Sequence, residues 1–329
     1  MSSLTSSRLR FRPRELSYAS MKTRVAIALL ACTAGAVVLA HTETLRLTLL
    51  ESAVETSVAA GTTEGLSASA CDLPAEQKSV RLAVIGDSGT GGIEQYQIAQ
   101  QMDSCRAKSG FDFVLMLGDN IYGGKSQQDF ERKFEAPYKP LLDAGVKFYA
   151  SIGNHDDPNE RLYKPFNMGG QRYYSFKKGN ATFFALDSNY MDSTQLDWLE
   201  RELSSTTTPW KICFLHHPLY SDGRYHGPDI DLRTHLEPLF EKYGVNVVFS
   251  GHEHVYERFK PEHGIYYFVL GNSGELRYHN LRASPQMAAG FDTDRDFMVV
   301  EIAGDKLYFQ TISRTGQVVD SGALDRPLH

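Results

Sequence analysis

Five apolar segments of this chain each run directly into a turn that carries a residue able to bind a metal ion. Short apolar runs bounded by glycine are typical of strands that are buried on both faces. The five segments are 81–85, 113–117, 147–152, 211–215 and 245–250, and the residues that follow them are Asp87, Asp119, Asn154, His216 and the pair His252 and His254. Open sheets bind their ligands at the carboxyl ends of parallel strands. The pattern therefore predicts a polar site at one sheet edge.

The segments between and after these strands predict an α/β fold. Helical spacing of apolar residues alternates with the strands, which favours right-handed crossovers and a mainly parallel sheet. The predicted helices are 93–108, 130–142, 194–203 and 232–243. Further short strands are predicted at 173–177, 181–188, 255–260, 265–270, 297–303, 306–313 and 316–320. So many strands indicate two stacked mixed sheets with helices outside them, a four-layer α/β/β/α sandwich.

The first forty residues predict an export signal. Residues 1–20 read as an unstructured leader or as the result of an early start, with Met21 as the alternative first residue. Lys22 and Arg24 then precede an apolar run that ends in small residues at Ala40, which is typical of a signal peptide and short for a membrane span. We therefore expect a secreted or periplasmic protein without a membrane span in its mature form. A membrane anchor through this segment, a lipid anchor at Cys32 and an organellar transit peptide are the alternatives.

The charge of the chain argues against nucleic acid and anionic membranes as partners. The formal net charge is −6, and cleavage after residue 40 would remove six basic side chains and one acidic side chain, which leaves −11. A protein this acidic has no general attraction for polyanions. A small phosphate ester would therefore need a local positive centre, which metal ions can supply.

Composition divides the rest of the chain into two parts. Residues 41–77 are dominated by Thr, Ser, Ala, Glu and Gly and are expected to form a flexible linker. Residues 78–329 have the length of one α/β domain with a full core. Cys71 and Cys105 show no metal-binding spacing, and either a bridge between them or two free thiols is compatible with the pattern. Cys213 lies on a predicted buried strand and is expected to be an inert thiol.

The five motifs, taken together and in order, resemble a known family. They are Asp87-x-Gly89, Gly118-Asp119-x-x-Tyr122, Gly153-Asn154-His155-Asp156, His216 two residues before Pro218, and Gly251-His252-x-His254. This set resembles the signature of calcineurin-like metallophosphoesterases and, more narrowly, the short purple acid phosphatases that are similar to tartrate-resistant acid phosphatase. Many relatives have a ligating histidine where this chain has Gly89, and Tyr122 would supply the missing ligand. The resemblance extends over roughly residues 80–274.

The resemblance implies a dinuclear metal centre in which Asp119 bridges the two ions. The ligands implied for the first ion are Asp87, Asp119, Tyr122 and His254. Those implied for the second ion are Asp119, Asn154, His216 and His252. Two histidines that are two residues apart on an extended segment leave the same side of the backbone, about 6 to 7 Å apart, which suits one histidine for each ion. Anionic phenolate and carboxylate ligands favour Fe3+ at the first site, and neutral amide and imidazole ligands suit Fe2+, Zn2+ or Mn2+ at the second.

The implied reaction is the hydrolysis of phosphate esters by a metal-activated hydroxide. An imidazole near the ions is suited to protonate or stabilise the leaving alkoxide at mildly acid pH. The resemblance offers His155 and His226 as candidates, and the spacing from His216 to His226 is one residue longer than in the short animal-type enzymes. His217 is expected to pack or hydrogen-bond beside its ligating neighbour. Five residues are candidates to line the mouth of the site: Asp222, Arg224, Tyr225, Asn272 and Tyr278.

Three functions are compatible with these residues. The leading hypothesis is an exported acid phosphatase that acts on phosphate monoesters. The same centre could instead act on diesters or nucleotides. A secreted protein that holds metal ions without catalysis is the third hypothesis, and the presence of all seven implied ligands counts against it. The sequence gives no prediction of the oligomeric state.

Overall fold

The structure is a computed structural model that describes residues 69–327. The predicted leader at 1–40 and most of the predicted linker lie outside these residues. Across the described part of the chain, no helix combines the length and the apolar character needed to cross a membrane.

Two mixed β-sheets make up the centre of the described part. The strands are β1 (Val80–Ile85), β2 (Phe113–Met116), β3 (Lys147–Ala150), β4 (Tyr174–Lys178), β5 (Ala181–Ala185), β6 (Trp210–Phe214), β7 (Val247–Ser250), β8 (Tyr256–Phe259), β9 (Tyr266–Leu270), β10 (Met287–Phe291), β11 (Asp296–Ala303), β12 (Lys306–Ser313) and β13 (Val318–Asp325). Among residues 69–327 the first sheet has the order β13-β12-β11-β1-β2-β3, and the second has the order β10-β8-β9-β7-β6-β5-β4. Strands β1 to β3 are parallel, as are β5, β6, β7 and β9.

The helices lie in the connections between these strands. They are α1 (Ile93–Ser109), α2 (Gln127–Phe130), α3 (Lys139–Asp143), α4 (Ser193–Ser205) and α5 (Ile230–Tyr243), with a π-helix at Glu131–Glu135 and 3-10 helices at Pro158–Leu162 and Lys164–Phe166. Helix α1 ends at Gly110, whose φ of 66° provides the left-handed residue that commonly terminates a helix.

Alternate residues of each central strand face two different cores. In β1, Leu82 and Val84 pack between the two sheets, where they join Phe214 and Phe249 of the second sheet. Ala83 of the same strand lies instead in the core beneath α1. A third core lies between the second sheet and helices α4 and α5. The central strands β1, β2, β6 and β7 are mostly apolar because both of their faces are covered. The predicted α/β/β/α sandwich is confirmed.

Residues 69–77, which we had predicted to belong to the linker, pack on the domain. Cys71 is buried and forms a disulfide bond with Cys105 of α1, with the two Cα atoms 5.1 Å apart. The Glu301 carboxylate accepts hydrogen bonds from the backbone N–H groups of Ala75 and Glu76 at 2.8 and 2.6 Å. The folded domain therefore begins before residue 78.

The element predictions differ from the structure in two places. The helix expected at 130–142 is divided into α2, the π-helix and α3, with Pro140 near the start of α3, where its missing N–H has no helical acceptor to lose. Strand β10 was not predicted, because its sequence Met-Ala-Ala-Gly-Phe contains no β-branched residue. It forms an edge of the second sheet and pairs with β8.

Candidate metal centre

The seven predicted ligands lie at one end of the two sheets. Asp87, Asp119 and Asn154 follow β1, β2 and β3 of the first sheet, and the histidines follow β6 and β7 of the second. Asp87, Asp119 and His252 have φ angles of 52°, 51° and 70°. Left-handed backbone at residues other than glycine is uncommon and costs energy, and it is concentrated at functional sites. These sharp turns aim the side chains toward one another.

Asp87, Tyr122 and His254 form the first group of this centre. The Tyr122 hydroxyl donates to Asp87 Oδ1 at 3.3 Å and lies 3.3 Å from His254 Nε2. His254 Nε2 is 3.4 Å from the same Asp87 oxygen. The other Asp87 oxygen, Oδ2, accepts the backbone N–H of His252 at 2.9 Å. One oxygen of Asp87 is thus used to hold the histidine segment, and the second faces the phenol and the imidazole.

Asn154, His216 and His252 form the second group. His216 Nε2 lies 2.9 Å from Asn154 Oδ1 and 3.1 Å from His252 Nδ1. On the other side of the ring, His216 Nδ1 donates to the carbonyl oxygen of Leu117 at 2.9 Å. A carbonyl only accepts, so the proton of the neutral His216 ring is on Nδ1 and Nε2 presents a lone pair.

Asp119 lies between the two groups. Its Oδ1 is 3.5 Å from His216 Nε2 and accepts the backbone N–H of His155 at 2.9 Å. Its Oδ2 is buried and has no hydrogen-bond partner. The ligand atoms of Asp87, Asp119 and His216 all lie within 4.8 Å of one another. This is the position that a ligand shared by two ions would occupy.

The atoms of the predicted ligands fit two cations. His216 Nε2, Asn154 Oδ1 and an Asp119 oxygen are all acceptors. His216 and Asp119 are buried, and a buried acceptor without a donor is unfavourable unless a cation compensates it. Burial, followed by the charge of Asp119, raises the pKa of Asp87 well above its usual range, and burial also raises the pKa of Asp119. Burial lowers the pKa of His216 well below its usual range. Burial and the carboxylates of Asp87 and Asp119 raise the pKa of the Tyr122 phenol. A bound cation would reverse these penalties for the carboxylates and the phenol.

Two glycines of the motifs allow the ligand turns to approach closely. A Cβ atom on Gly153 would lie 2.2 Å from Asp119 Oδ1, and one on Gly118 would lie 2.6 Å from His216 Nδ1. Gly118 also has a φ of 90°, which side chains rarely permit. Any larger residue at these positions would push apart the carboxylate and the imidazole that the motifs bring together.

His155 and His226, the two predicted catalytic residues, both lie beside the centre and are exposed. The His155 ring is 5.1 Å from the Tyr122 ring, near the first group. The His226 ring is 4.1 Å from the His252 ring, near the second group. Burial lowers the pKa of His226. Neither role is tested by this geometry, and both assignments remain predictions.

An open cavity of about 390 Å3 leads to the second group. Its wall includes His217, His226, Asp229, Ile230 and His252. His217 Nδ1 forms a 2.8 Å hydrogen bond with the Ser188 hydroxyl, while its ring lies 4.4 Å from the His252 ring. His217 therefore packs and hydrogen-bonds beside a predicted ligand. A cavity of this size accommodates a small organic ester.

The structure also places residues that the sequence did not assign to the site. Asp156 is buried and accepts hydrogen bonds from the backbone N–H groups of Asn120, Ile121 and Gly153, which joins two ligand turns. Arg277 lies at the mouth, with its guanidinium over the Tyr225 ring. Long-range contacts of this kind leave no local signal, although Asp156 stands within a recognised motif.

Of the predicted mouth residues, Tyr225 lies at the site and Asn272 does not line an open mouth. The Tyr225 ring is 4.5 Å from the His226 ring. Asn272 is fully buried and donates to Asp296 Oδ2 at 2.6 Å and to the carbonyl oxygen of Asp294 at 3.1 Å. The amide of Asn272 compensates a buried carboxylate, and the prediction for this residue is wrong.

Comparisons with known proteins support the interpretation of this centre as a phosphoesterase site. A profile of the calcineurin-like phosphoesterase family matches residues 80–256. Tartrate-resistant acid phosphatase type 5 from Rattus norvegicus is 24% identical over 307 residues, which cover 78% of this chain and 93% of that protein. Purple acid phosphatase 7 from Arabidopsis thaliana is 27% identical over 288 residues, which cover 75% of this chain and 87% of that protein.

Solved structures share the fold. GAP50, described as the anchor in the inner membrane complex of Plasmodium, has a TM-score of 0.68 at 18% identity and covers 77% of this chain and 90% of its own. Purple acid phosphatase PPD1 from yellow lupin seeds has a TM-score of 0.63 at 20% identity and covers 78% of this chain and 55% of its own. These structures are too distant to show more than the fold. Together with the family match and the named relatives, they confirm the predicted resemblance: the chain belongs to the calcineurin-like phosphoesterase family, in its purple acid phosphatase branch.

Proposed function

We propose that this metal-dependent phosphatase is an exported acid phosphatase that hydrolyses phosphate monoesters. The observation that carries the proposal is the convergence of the seven predicted ligands from both sheets into two groups, with Asp119, whose buried Oδ2 has no hydrogen-bond partner, between them. The relatives named acid phosphatases support the choice of monoesters over diesters.

The two groups of side chains divide the ligands between two metal ions. We assign Asp87, Tyr122 and His254 to an Fe3+ ion, because a phenolate and a carboxylate are hard anionic ligands. We assign Asn154, His216 and His252 to an Fe2+, Zn2+ or Mn2+ ion. Asp119 is assigned to both ions. When bound, the two ions supply positive charge for the phosphate oxygens and a hydroxide nucleophile at mildly acid pH.

The two histidines beside the centre, His155 and His226, are suited to assist the reaction. As the phosphorus–oxygen bond breaks, the departing alkoxide develops negative charge and takes up a proton most easily from a nearby acid. His226 faces the cavity beside His252, and its exposed ring can exchange protons with solvent. His155, on the Tyr122 side, can stabilise charge on the phosphoryl group. We therefore assign proton donation to His226 and charge stabilisation to His155.

The disulfide bond between Cys71 and Cys105 supports export. Disulfide bonds persist in oxidising compartments and are rare where thiols are kept reduced. The bond joins the start of the folded domain to α1, so the compartment in which the chain folds affects the stability of the domain itself.

One experiment tests the function directly. Purified protein is reconstituted with iron plus zinc or manganese, and its metal content is measured. The kcat/KM values for p-nitrophenyl phosphate and bis(p-nitrophenyl) phosphate are then compared between pH 4 and 9. We expect two metal ions per chain and a higher kcat/KM for the monoester. A higher kcat/KM for the diester would replace the monoester assignment, and the absence of turnover with both sites filled would refute the enzymatic role.

A further inference from the structure

Four side chains form a column of successive contacts, from Arg277 through Tyr225 and His226 to the predicted ligand His252. The guanidinium carbon of Arg277 lies 3.3 Å from the centroid of the Tyr225 ring. The Tyr225 ring is 4.5 Å from the His226 ring, which is in turn 4.1 Å from the His252 ring. A guanidinium on an aromatic face is held in place with little loss of its hydrogen-bonding capacity.

No carboxylate within the described fold neutralises the charge of Arg277. Its backbone N–H donates to the carbonyl oxygen of His254 at 2.9 Å, which fixes the segment beside the centre. Its Nε is buried without a hydrogen-bond partner, and among residues 69–327 the side chain forms no ion pair. Arg258 is different, because it donates to both carboxylate oxygens of Asp320. Arg277 has no such carboxylate partner among residues 69–327.

The positive charge of Arg277 acts on two nearby histidines, His254 and His226. Burial and then the charge of Arg277 lower the pKa of His254, and Arg277 also contributes to the lowered pKa of His226, which burial dominates. Burial and neighbouring carboxylates raise the pKa of Tyr122, and Glu275 adds to that increase. The charge of Arg277 is therefore felt both at His254 and at His226.

We propose that Arg277, supported by the Tyr225 ring, binds a second anionic group of the substrate. The preferred substrates would then be phosphate monoesters whose alcohol carries a carboxylate or another phosphate. This inference rests on the proposed function, because it places the scissile phosphate at the metal centre. The alcohol leaves past His226, which is separated from Arg277 only by the Tyr225 ring, and the planar guanidinium can give two parallel hydrogen bonds to either anion.

Matched substrates test the inference. The kcat/KM for glycerol 2-phosphate is compared with that for glycerate 2-phosphate, which carries an additional carboxylate. The kcat/KM for fructose 6-phosphate is compared with that for fructose 1,6-bisphosphate, which carries an additional phosphate. We expect the wild-type enzyme to show a higher kcat/KM for the doubly anionic member of at least one pair. The pair that shows the preference identifies carboxylate or phosphate as the second group.

Arg277→Gln should remove that preference. We expect kcat/KM for the preferred doubly anionic substrate to fall by about ten- to a hundredfold, as is typical when a hydrogen bond to a charged group is lost. The value for its singly anionic partner should stay within about threefold. Arg326→Gln is the control, because Arg326 pairs with Asp305 at the turn between β11 and β12, at the opposite end of β1 from the site. It removes the same charge and should leave the preference unchanged.

Inhibition provides a readout that does not depend on turnover of the doubly charged substrate. Inorganic phosphate should inhibit wild type and Arg277→Gln equally, whereas methylenediphosphonate should inhibit the variant at least about tenfold more weakly. Tyr225→Leu, which removes the supporting ring, should show a smaller loss in the same direction. If monoesters are hydrolysed but Arg277→Gln changes every substrate and inhibitor equally, the inference is wrong and the proposed function stands. If metal-loaded protein hydrolyses no monoester, both fail.

Discussion

Glu253 Oε1 accepts the backbone N–H of His226, so the residue between the two histidines of the last motif holds the loop that carries the predicted proton donor. The same oxygen accepts the N–H of Gly227 at 2.6 Å, and Oε2 accepts the side-chain amide of Asn280 at 2.9 Å. Glu253 is fully buried. One short turn therefore presents two imidazoles to the metal centre and a carboxylate to the loop behind it.

This contact leads to a prediction for Glu253→Gln. The amide oxygen can replace Oε1 as the acceptor of both backbone N–H groups, but it carries no charge, and the new N–H2 group then faces the donating amide of Asn280. The His226 loop should therefore be held less firmly beside His252. We expect kcat for alkyl phosphates to fall by about tenfold or more, and kcat for p-nitrophenyl phosphate, whose leaving group needs less protonation, to fall much less. Metal content and KM should change little.

Asn280→Ala is the matched variant for Glu253, because it removes a partner of Oε2 and leaves the two backbone contacts in place. It should cause a smaller loss with the same dependence on the leaving group. If Glu253→Gln instead slows both kinds of substrate equally while both metal ions are retained, Glu253 does not act through His226.

His155→Ala should slow turnover while both metal ions remain bound. His155 touches Asp119 through its backbone N–H, and alanine preserves that hydrogen bond. We expect kcat to fall by about ten- to a hundredfold, within the usual range for a group that assists charge transfer. Elemental analysis of the purified variant checks the metal content. An empty centre in His155→Ala would show that the ring itself is a ligand.

Asp119→Asn provides the contrast for His155→Ala. The substitution removes the charge of the carboxylate that lies between the two groups, and the amide cannot replace both of its oxygens as acceptors. We expect both sites to lose affinity, so that dialysis against a chelator strips the variant before the wild type. Selective loss of one ion would contradict the bridging position.

Tyr122→Phe should abolish a visible absorption band. If the first site holds Fe3+ bound by the Tyr122 phenolate, charge transfer from the phenolate colours the protein, and phenylalanine has no oxygen to bind. The hydroxyl also donates to Asp87, so the variant should bind the first ion more weakly. Absorption spectra of iron-loaded wild type and variant make the comparison. A colourless, fully active wild type with zinc or manganese at the first site would remove the role assigned to Tyr122.

Much of the site could be predicted because the seven ligands follow the ends of five strands. Asp119 and His216 stand at the ends of apolar runs, and such runs identify both the strand and the edge to which it points. The contacts of Glu253 and Arg277 could not be predicted in this way, because they depend on where the loops near 225 and 277 fold. Two histidines on one side of the segment 252–254 leave the residue between them, Glu253, to face away from the centre. This pattern could not identify the backbone groups that Glu253 meets.

The pH dependence of stability should report on a second buried glutamate, Glu257. It accepts hydrogen bonds from the Ser221 hydroxyl at 2.8 Å and from the backbone N–H of Asp222 at 2.6 Å, so it also holds the His226 loop. Burial, with smaller contributions from the charges of Asp222 and Glu253, raises its pKa to about 8. The folded state therefore keeps a proton on Glu257 at pH values where the unfolded chain has already lost it.

It follows that this contribution to stability is fully present below about pH 4.5, the usual pKa of glutamate, and is lost as the pH rises toward 8. Within that window the free energy of unfolding of the wild type should fall relative to that of Glu257→Gln, by up to about 1.4 kcal/mol per pH unit. Thermal melts of both proteins at equal metal loading, from pH 4.5 to 9, measure the difference. Glu131→Gln, at an exposed glutamate of the π-helix, is the control and should differ from wild type by a constant amount. A constant difference for Glu257→Gln as well would show that Glu257 is ionised in the folded protein throughout this range.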